Sequence, residues 1–257
     1  MMRKGVFSMC RDEAGHLPIW LNYYSQYFDV KDIYIMDNNT VDGSTKNLPC
    51  NVWADPHPHV DMNWVTEKAN WWLYWFLKTL TPKYDMMLYA DMDEIYYHPN
   101  GLDKFMESLH SSGFKGAIRP KDSYEIYHCA TEEPDLDLSK PILQQRKYGK
   151  DLFKANGWTW RKATLTNIPL RWTPGFHDVA DSKGYPVKMD DDYKLIHLHF
   201  MDYKICLERH EKRNRLHWSH PNGSHGRVVG NQLKAWFSYR GMLLPDNIRN
   251  INLQYYK

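Results

Sequence analysis

The chain has 257 residues, enough for one domain with a sizeable core. Its 33 Lys and Arg against 31 Asp and Glu leave a net charge of +2, which excludes a general pull toward nucleic acid or anionic membrane and makes any basic surface local. Cys10, Cys50, Cys129 and Cys206 form no C-x-x-C pair, which excludes a zinc knuckle or redox motif, and they are read as reduced thiols. The amino terminus reaches Arg11-Asp12-Glu13 before a signal-length apolar stretch develops, and no run approaches the ~18 apolar residues of a membrane span. The expectation is a soluble, cytoplasmic protein that can still sit against a membrane.

Gly5 to Cys10 predicts a short strand, and Leu17 to Phe28 carries Trp20, Tyr23, Tyr24, Tyr27 and Phe28 at helical spacing. A second strand is predicted over Asp32 to Met36, followed by the turn-rich Asp37-Asn38-Asn39-Thr40-Val41-Asp42-Gly43-Ser44 and a brief strand from Asn51 to Ala54. Asn63 to Thr79 reads as a helix packed between layers, ended by Thr81-Pro82, and Asp85 to Ala90 as a buried strand. Beyond it lie a helix at Leu102 to His110, a strand at Gly116 to Arg119 and a polar loop through Glu132-Glu133-Pro134-Asp135. Short strands at Arg161 to Leu165 and Lys194 to Phe200 and a basic helix from Asp202 to Trp218 complete the reading. The β-α-β order of the first half favours a largely parallel sheet covered by helices, with ligands at the carboxyl ends of its strands.

The apolar run before Asp91-Met92-Asp93-Glu94 empties into acid at that end. In an extended segment Asp91 and Asp93 face the same way while Met92 turns into packing, so both can converge on Mg²⁺ or Mn²⁺ with sites left for the oxygens of a nucleotide diphosphate. The competing reading is a solvated acidic turn. Eleven Trp and 18 Tyr exceed what a core of this size needs; most suit ordinary packing, and the remainder could line a groove that stacks on sugars or bases.

Three motifs in order carry a resemblance. Cys10-Arg11-Asp12-Glu13 with His16-Leu17-Pro18-Ile19-Trp20-Leu21, then Ile33 through Ser44, then Asp91-Met92-Asp93-Glu94, resemble the strand-one, strand-two and metal motifs of nucleotide-sugar glycosyltransferases of the A-type fold, family-2-like and similar also to family 92. The resemblance covers residues 1–95; in the second half it rests chiefly on Leu195 to Phe200. It implies an α/β, Rossmann-like nucleotide-diphospho-sugar transferase fold with a mostly parallel central sheet. It also implies a single domain over 1–257, with a nucleotide-binding half at 1–95 and an acceptor-side half at 96–257 ending in the basic helix.

What the resemblance implies for the site is specific. Arg11 and Glu13 would meet the nucleotide, Asp37 the base and Asp42 the ribose; Asp91 would bridge ribose and metal, and Asp93 would ligate the ion directly. Glu94 would orient the two aspartates, His199 would be the late metal ligand, and His197 would be supporting structure. Lys162 would lie near the diphosphate. For Asp42 a self-capped turn competes, for Arg11 and Glu13 a surface ion pair, and for Lys162 an exposed strand position. Asp178 and Glu125 are the two carboxylates considered for the catalytic base, because the usual acceptor-side Glu-Asp signature is not evident. Arg209, Arg213 and Arg215 read as a phosphate-binding, solvated or lipid-facing basic face.

The implied activity is metal-dependent transfer of a sugar, by default from a uridine diphosphate donor, to a saccharide, glycolipid or glycoprotein hydroxyl, with inversion. The implied setting is polysaccharide biosynthesis, with no nucleic-acid partner. A non-catalytic sugar- or nucleotide-binding module of the same fold is the alternative. A nucleotidyltransferase lacks support because the chain has no G-x-G-x-x-G or G-x-x-x-x-G-K segment.

Overall fold

The computed structural model describes residues 2–55, 71, 73–152, 162–173, 176, 178–215 and 230–255. Strand β1 (Lys4–Cys10) lies between β2 (Ile33–Asp37) and β4 (Met86–Tyr89), and β3 (Asn51–Ala54) extends the sheet beyond β2, all in parallel. Both faces of β1, β2 and β4 are largely buried, which explains their nearly continuous apolar sequence, whereas the edge strand β3 is mostly exposed. Val6, Cys10, Ile33, Ile35, Met86 and Leu88 pack with helix α1 (Leu17–Tyr24) on one face. The alternate residues Phe7, Met36, Met87 and Tyr89 pack with the helix at 73–80 (α2) on the other.

Past β4 the sheet becomes mixed. Strand β8 (Leu165–Thr166) runs antiparallel between β4 and β6 (Ala117–Tyr127), and β7 (Tyr148–Asp151) and β12 (Met242–Leu243) continue antiparallel beyond β6. Strand β11 (Val187–Phe200) pairs in parallel with β6 and antiparallel with β5 (Glu94–Tyr97). Strands β9 (Arg171–Trp172) and β10 (Val179–Asp181) form a separate hairpin. The whole is the expected α/β layout, a largely parallel central sheet with helices on its faces and acids just past the carboxyl ends of β2 and β4. No helix among the described residues is long and apolar enough to cross a membrane.

Several boundaries differ from expectation for physical reasons. Helix α1 stops at Tyr24 and continues only as turns, while helix α3 (Leu102–Ser111) matches its prediction within a residue. The sequence predicts that β6 ends before Pro120, yet the strand runs on to Tyr127, and the register shift in β11 between Asp190 and Lys194 falls beside the position that lacks an N–H. The polar Asp190-Asp191-Asp192 run conceals the first half of β11. The 63–79 helix is described only at 71 and 73–80, and Arg161 and residues 216–218, parts of predicted elements, lie outside the described residues.

Two devices aim the site-bearing segments. The Tyr23 hydroxyl donates to the Tyr96 carbonyl at 2.8 Å, and the Tyr24 hydroxyl donates to the Glu94 carbonyl at 3.2 Å while accepting the Tyr96 N–H at 3.0 Å, so α1 pins β5. Asp202 caps helix α4 (Tyr203–Asn214), its Oδ1 accepting the N–H groups of Lys204 and Ile205 at 2.9 and 3.1 Å. Its Oδ2 accepts from buried Arg146 at 3.2 Å and from the Leu136 N–H at 2.9 Å, which ties the start of α4 to the loop before β7.

Candidate functional site

The loops after β1 and β2 are laced together. Asp12 adopts the left-handed region at φ 55°, and its Oδ1 accepts the N–H groups of Val41 and Asp42 at 2.7 and 3.0 Å. Asp37, at the end of β2, accepts the Thr40 N–H at 2.8 Å and the Thr45 hydroxyl at 2.9 Å. Asp42 accepts the Ser44 N–H at 2.9 Å and meets Lys212 of α4 at 2.8 Å, combining turn chemistry with an ion pair. Arg11 is partly buried at the carboxyl end of β1. Beside these loops an apolar cleft of about 150 Å³ is lined by Met36, Trp53, Ala54, Asp55, Trp75 and Phe76.

Asp91, Met92 and Asp93 do not form the extended segment expected. The Glu94 N–H donates to the Asp91 carbonyl at 2.9 Å, closing a turn that sends the two aspartates to different partners. Asp91 takes Lys162 at 2.6 Å and the Tyr89 hydroxyl, and Lys162 also meets Glu94 at 2.6 Å. Lys162 is therefore a buried cation shared by two acids rather than an exposed strand residue. Burial opposes its charge, but Asp91 and Glu94 hold its pKa above the ordinary lysine value.

Asp93 is the hub of a second, larger group. It is paired with Arg209, and His197 Nε2 and His199 Nδ1 lie 3.4 and 3.3 Å from its Oδ2. Burial would raise the Asp93 pKa, yet the Arg209 guanidinium and the imidazole contacts hold it well below the usual range. Arg209 also donates from Nε and Nη2 to Glu13 at 2.9 and 2.6 Å, and His16 Nδ1 lies 3.3 Å from the same carboxylate. Glu13 thus sits at a pKa of about 2: burial works against its charge, and Arg209 and His16 outweigh it. Glu13 forms neither the implied nucleotide contact nor the competing surface pair with Arg11; it is buried and serves α4. Arg209 likewise points inward, because two buried carboxylates await it, so the basic helix is not uniformly solvated.

His197 is more than packing. Its Nδ1 lies 2.5 Å from Glu125 Oε2 and its Nε2 faces Asp93, so carboxylates flank both nitrogens. Burial alone would lower its pKa, but Glu125 and Asp93 raise it well above the ordinary histidine value. Burial lifts the Glu125 carboxyl too, against the lowering effect of His197. His199 behaves in the opposite way: burial and the neighbouring Arg209 charge push it well below the ordinary value against the Asp93 contact, leaving it neutral. The Arg209 Nη1–H can only donate, so His199 Nδ1 accepts it at 2.9 Å and the imidazole proton lies on Nε2, facing His210 Nε2 at 3.1 Å.

Asp93, His197 and His199 each present one ligand atom, all within 4.8 Å of one another. One carboxylate and two imidazoles suit Mn²⁺ or another transition metal better than Mg²⁺, which prefers oxygen. Glu125 on His197 Nδ1 is the second carboxylate that orients a ligating imidazole. The residues therefore fit a divalent ion, provided that Arg209 yields its contact with Asp93. Asp91 is not in this group.

The two carboxylates considered for the base are not brought together. Glu125 is buried against His197, whereas Asp178 is half-exposed on the β9–β10 hairpin and accepts from Arg119 Nη2 at 3.0 Å. Arg119 and Glu125 are six residues apart on β6, roughly 20 Å of strand. Sequence reasoning missed Asp12, His16, Cys206 and His210. Only the i,i+4 spacing of Cys206 and His210 on one helix was an available signal.

If Asp37 meets a nucleotide base, as the resemblance implies, Asp37→Ala is expected to weaken nucleotide binding by ~1 to 3 kcal/mol, the cost of breaking a hydrogen bond at a partly buried group. Because Asp37 also holds Thr40 and Thr45, the melting temperature has to be read alongside calorimetric titration with nucleoside diphosphate. Unchanged affinity would reduce Asp37 to turn chemistry.

No protein-family model and no curated protein matches the chain. Among solved structures it is similar to Staphylococcus aureus TarS, with 11% identity and a TM-score of 0.42 over 93% of this chain and 44% of that one. It is also similar to a mycobacterial protein, with 13% identity and a TM-score of 0.41 over 77% of this chain and 65% of that one. A third is a mannose-1-phosphate geranyltransferase from Thermus thermophilus, with 10% identity and a TM-score of 0.33 over 64% and 57% of the two chains. The chain spans less than half the length of TarS. Likeness at this level assigns no substrate.

Proposed function

We propose that the protein is a metal-dependent glycosyltransferase that moves a sugar from a nucleoside diphosphate donor, by default a uridine diphosphate sugar, to a hydroxyl of a saccharide, glycolipid or glycoprotein. The observation that carries this reading is the buried Asp93, His197 and His199 group, oriented by Glu125 and set after the parallel strand that ends at Tyr89. The apolar cleft beside Asp37 supports it, since a planar base needs apolar faces and a polar edge contact.

In this reading Asp37 and Asp42 meet base and ribose, Arg11 lies by the diphosphate, and Lys162 fixes Asp91 against the ribose. Asp93, His197 and His199 hold the ion, with Mn²⁺ preferred over Mg²⁺ on the donor set. When bound, the ion stabilises the negative charge that grows on the departing diphosphate. Glu125 acts through His197 as a positioning residue. Asp178, held through Oδ1 by Arg119 roughly 20 Å of strand from Glu125, is too far from the Asp93 group to take a proton there, so the base that would give inversion is left unassigned.

A panel of nucleotide-sugars incubated with Mn²⁺ tests the reading through released nucleoside diphosphate, with the product anomer read by NMR. One donor is expected to react, and Asp93→Asn is expected to abolish metal coupling, a loss on the order of 100-fold or more. One observation favours the binding-module alternative: Arg209 already neutralises Asp93. Equal nucleotide affinity with and without chelator, and no donor turned over, would select that alternative.

A further inference from the structure

Cys206 and His210 lie one turn apart on α4, and His199 precedes the cap of that helix by three residues. One ring nitrogen of His199, one of His210 and Cys206 Sγ fall within 4.8 Å of one another, and the two Nε2 atoms stand 3.1 Å apart. We propose that these three side chains form a soft-metal site that takes Zn²⁺, which shares His199 with the Asp93 group, uses its opposite nitrogen and is filled as an alternative to it.

The spacing fits. Tetrahedral Zn²⁺ with bonds of about 2.05 Å to nitrogen and 2.3 Å to sulfur sets N···N near 3.3 Å and N···S near 3.6 Å. The two imidazole nitrogens stand at 3.1 Å, within a few tenths of an ångström of that spacing, and the Cys206 sulfur lies within 4.8 Å of the nitrogens. Two imidazoles and a thiolate are the donors that select Zn²⁺ over Mg²⁺ or Ca²⁺.

The proton balance also closes. Burial pushes the Cys206 thiol up to about 12, so metal binding releases its proton to solvent as the thiolate forms. The His199 Nε2 proton moves to Nδ1, where Asp93 Oδ2 at 3.3 Å accepts it as a hydrogen bond and Arg209 Nη1 turns aside. Asp93 then orients the bound imidazole. The neighbouring guanidiniums of Arg209 and Arg213 do not forbid a cation, since Glu13 and Asp93 already face them. Cys206, Leu233 and Phe237 form an apolar cluster over this position, so the ion would fasten α4 to β11.

Cobalt titration of the chelator-stripped full chain tests the site. One equivalent should give a thiolate-to-metal charge-transfer band in wild type. In Cys206→Ser the band should vanish, with Zn²⁺ affinity falling on the order of 100-fold or more. Because Cys206→Ser could unfold, X-ray absorption on zinc-loaded wild type supplies a variant-free readout, with one sulfur expected at about 2.3 Å beside nitrogen scatterers. A first shell without sulfur, or a band that survives Cys206→Ser, would overturn the proposal.

Discussion

Replacing Arg209 with Met is expected to destabilise the protein by about 3–5 kcal/mol, because it leaves two buried carboxylates without their common cation. Glu13 loses contacts at 2.9 and 2.6 Å and keeps only His16 and the longer 3.5 Å approach of Arg213. Arg209→Lys should recover part of the loss but not the fork that spans Glu13 and Asp93. The acid limb follows with a defined sign. Glu13 sits at about 2 in the folded chain against an ordinary value of 4.5, so its contribution is fully present above pH 4.5 and drains away as pH falls toward 2. That contribution is on the order of 3 kcal/mol in wild type. In Arg209→Met the depression is largely gone, and stability should vary less between pH 4.5 and 2. Urea unfolding at pH 7 and down the acid limb measures both effects, and a loss below about 1 kcal/mol at pH 7 would mean that the pair is not the keystone of α4.

The parallel half of the fold was legible because β1, β2 and β4 are largely buried on both faces and its strands are bounded by turn chemistry. Asn51–Ala54 is located to the residue, and β1, β2 and β4 to within one. Beyond Asp93 the signals conflict with the outcome. β5 begins with a buried Glu94 that no periodicity rule would place in a strand, since its charge is tolerated only beside Lys162. β6 hides behind Pro120 and β11 behind three aspartates, and both are strands because a long-range partner with a register shift absorbs the defect.

The site was legible as residue types and not as pairings. Asp93 and His199 do meet, but alternation in an extended segment also joins Asp91 to them, and the turn at Asp91 separates it. His197 reads as packing because a lone histidine in an apolar strand usually is; Glu125, which redefines it, is 72 residues away in sequence. Arg209 reaches Glu13 across 196 residues, a contact that no local pattern announces. The absence of a C-x-x-C pair is a statement about one kind of metal motif, and the His199, Cys206 and His210 group arises only when a strand end and a helix face meet.

Lys162→Met is expected to cost about 3–5 kcal/mol by the same physics acting on different partners, since Asp91 and Glu94 would then face each other without the cation at 2.6 Å from both. Glu94 is fully buried, and water cannot replace the ammonium at its Oε1. Removing the stranded charge should therefore rescue the variant. Glu94→Gln keeps the size of the side chain and the oxygen that can accept from Tyr96 at 3.3 Å, so the double variant should regain part of the loss, with a coupling of roughly 1–3 kcal/mol. Asp91→Asn should rescue less, because Asp91 is partly exposed and also accepts from Tyr89. The cycle is read from urea unfolding of the two single variants, the double variant and wild type. Additive effects would show that Lys162 acts through packing alone and that the Asp91, Lys162 and Glu94 group is not an electrostatic unit.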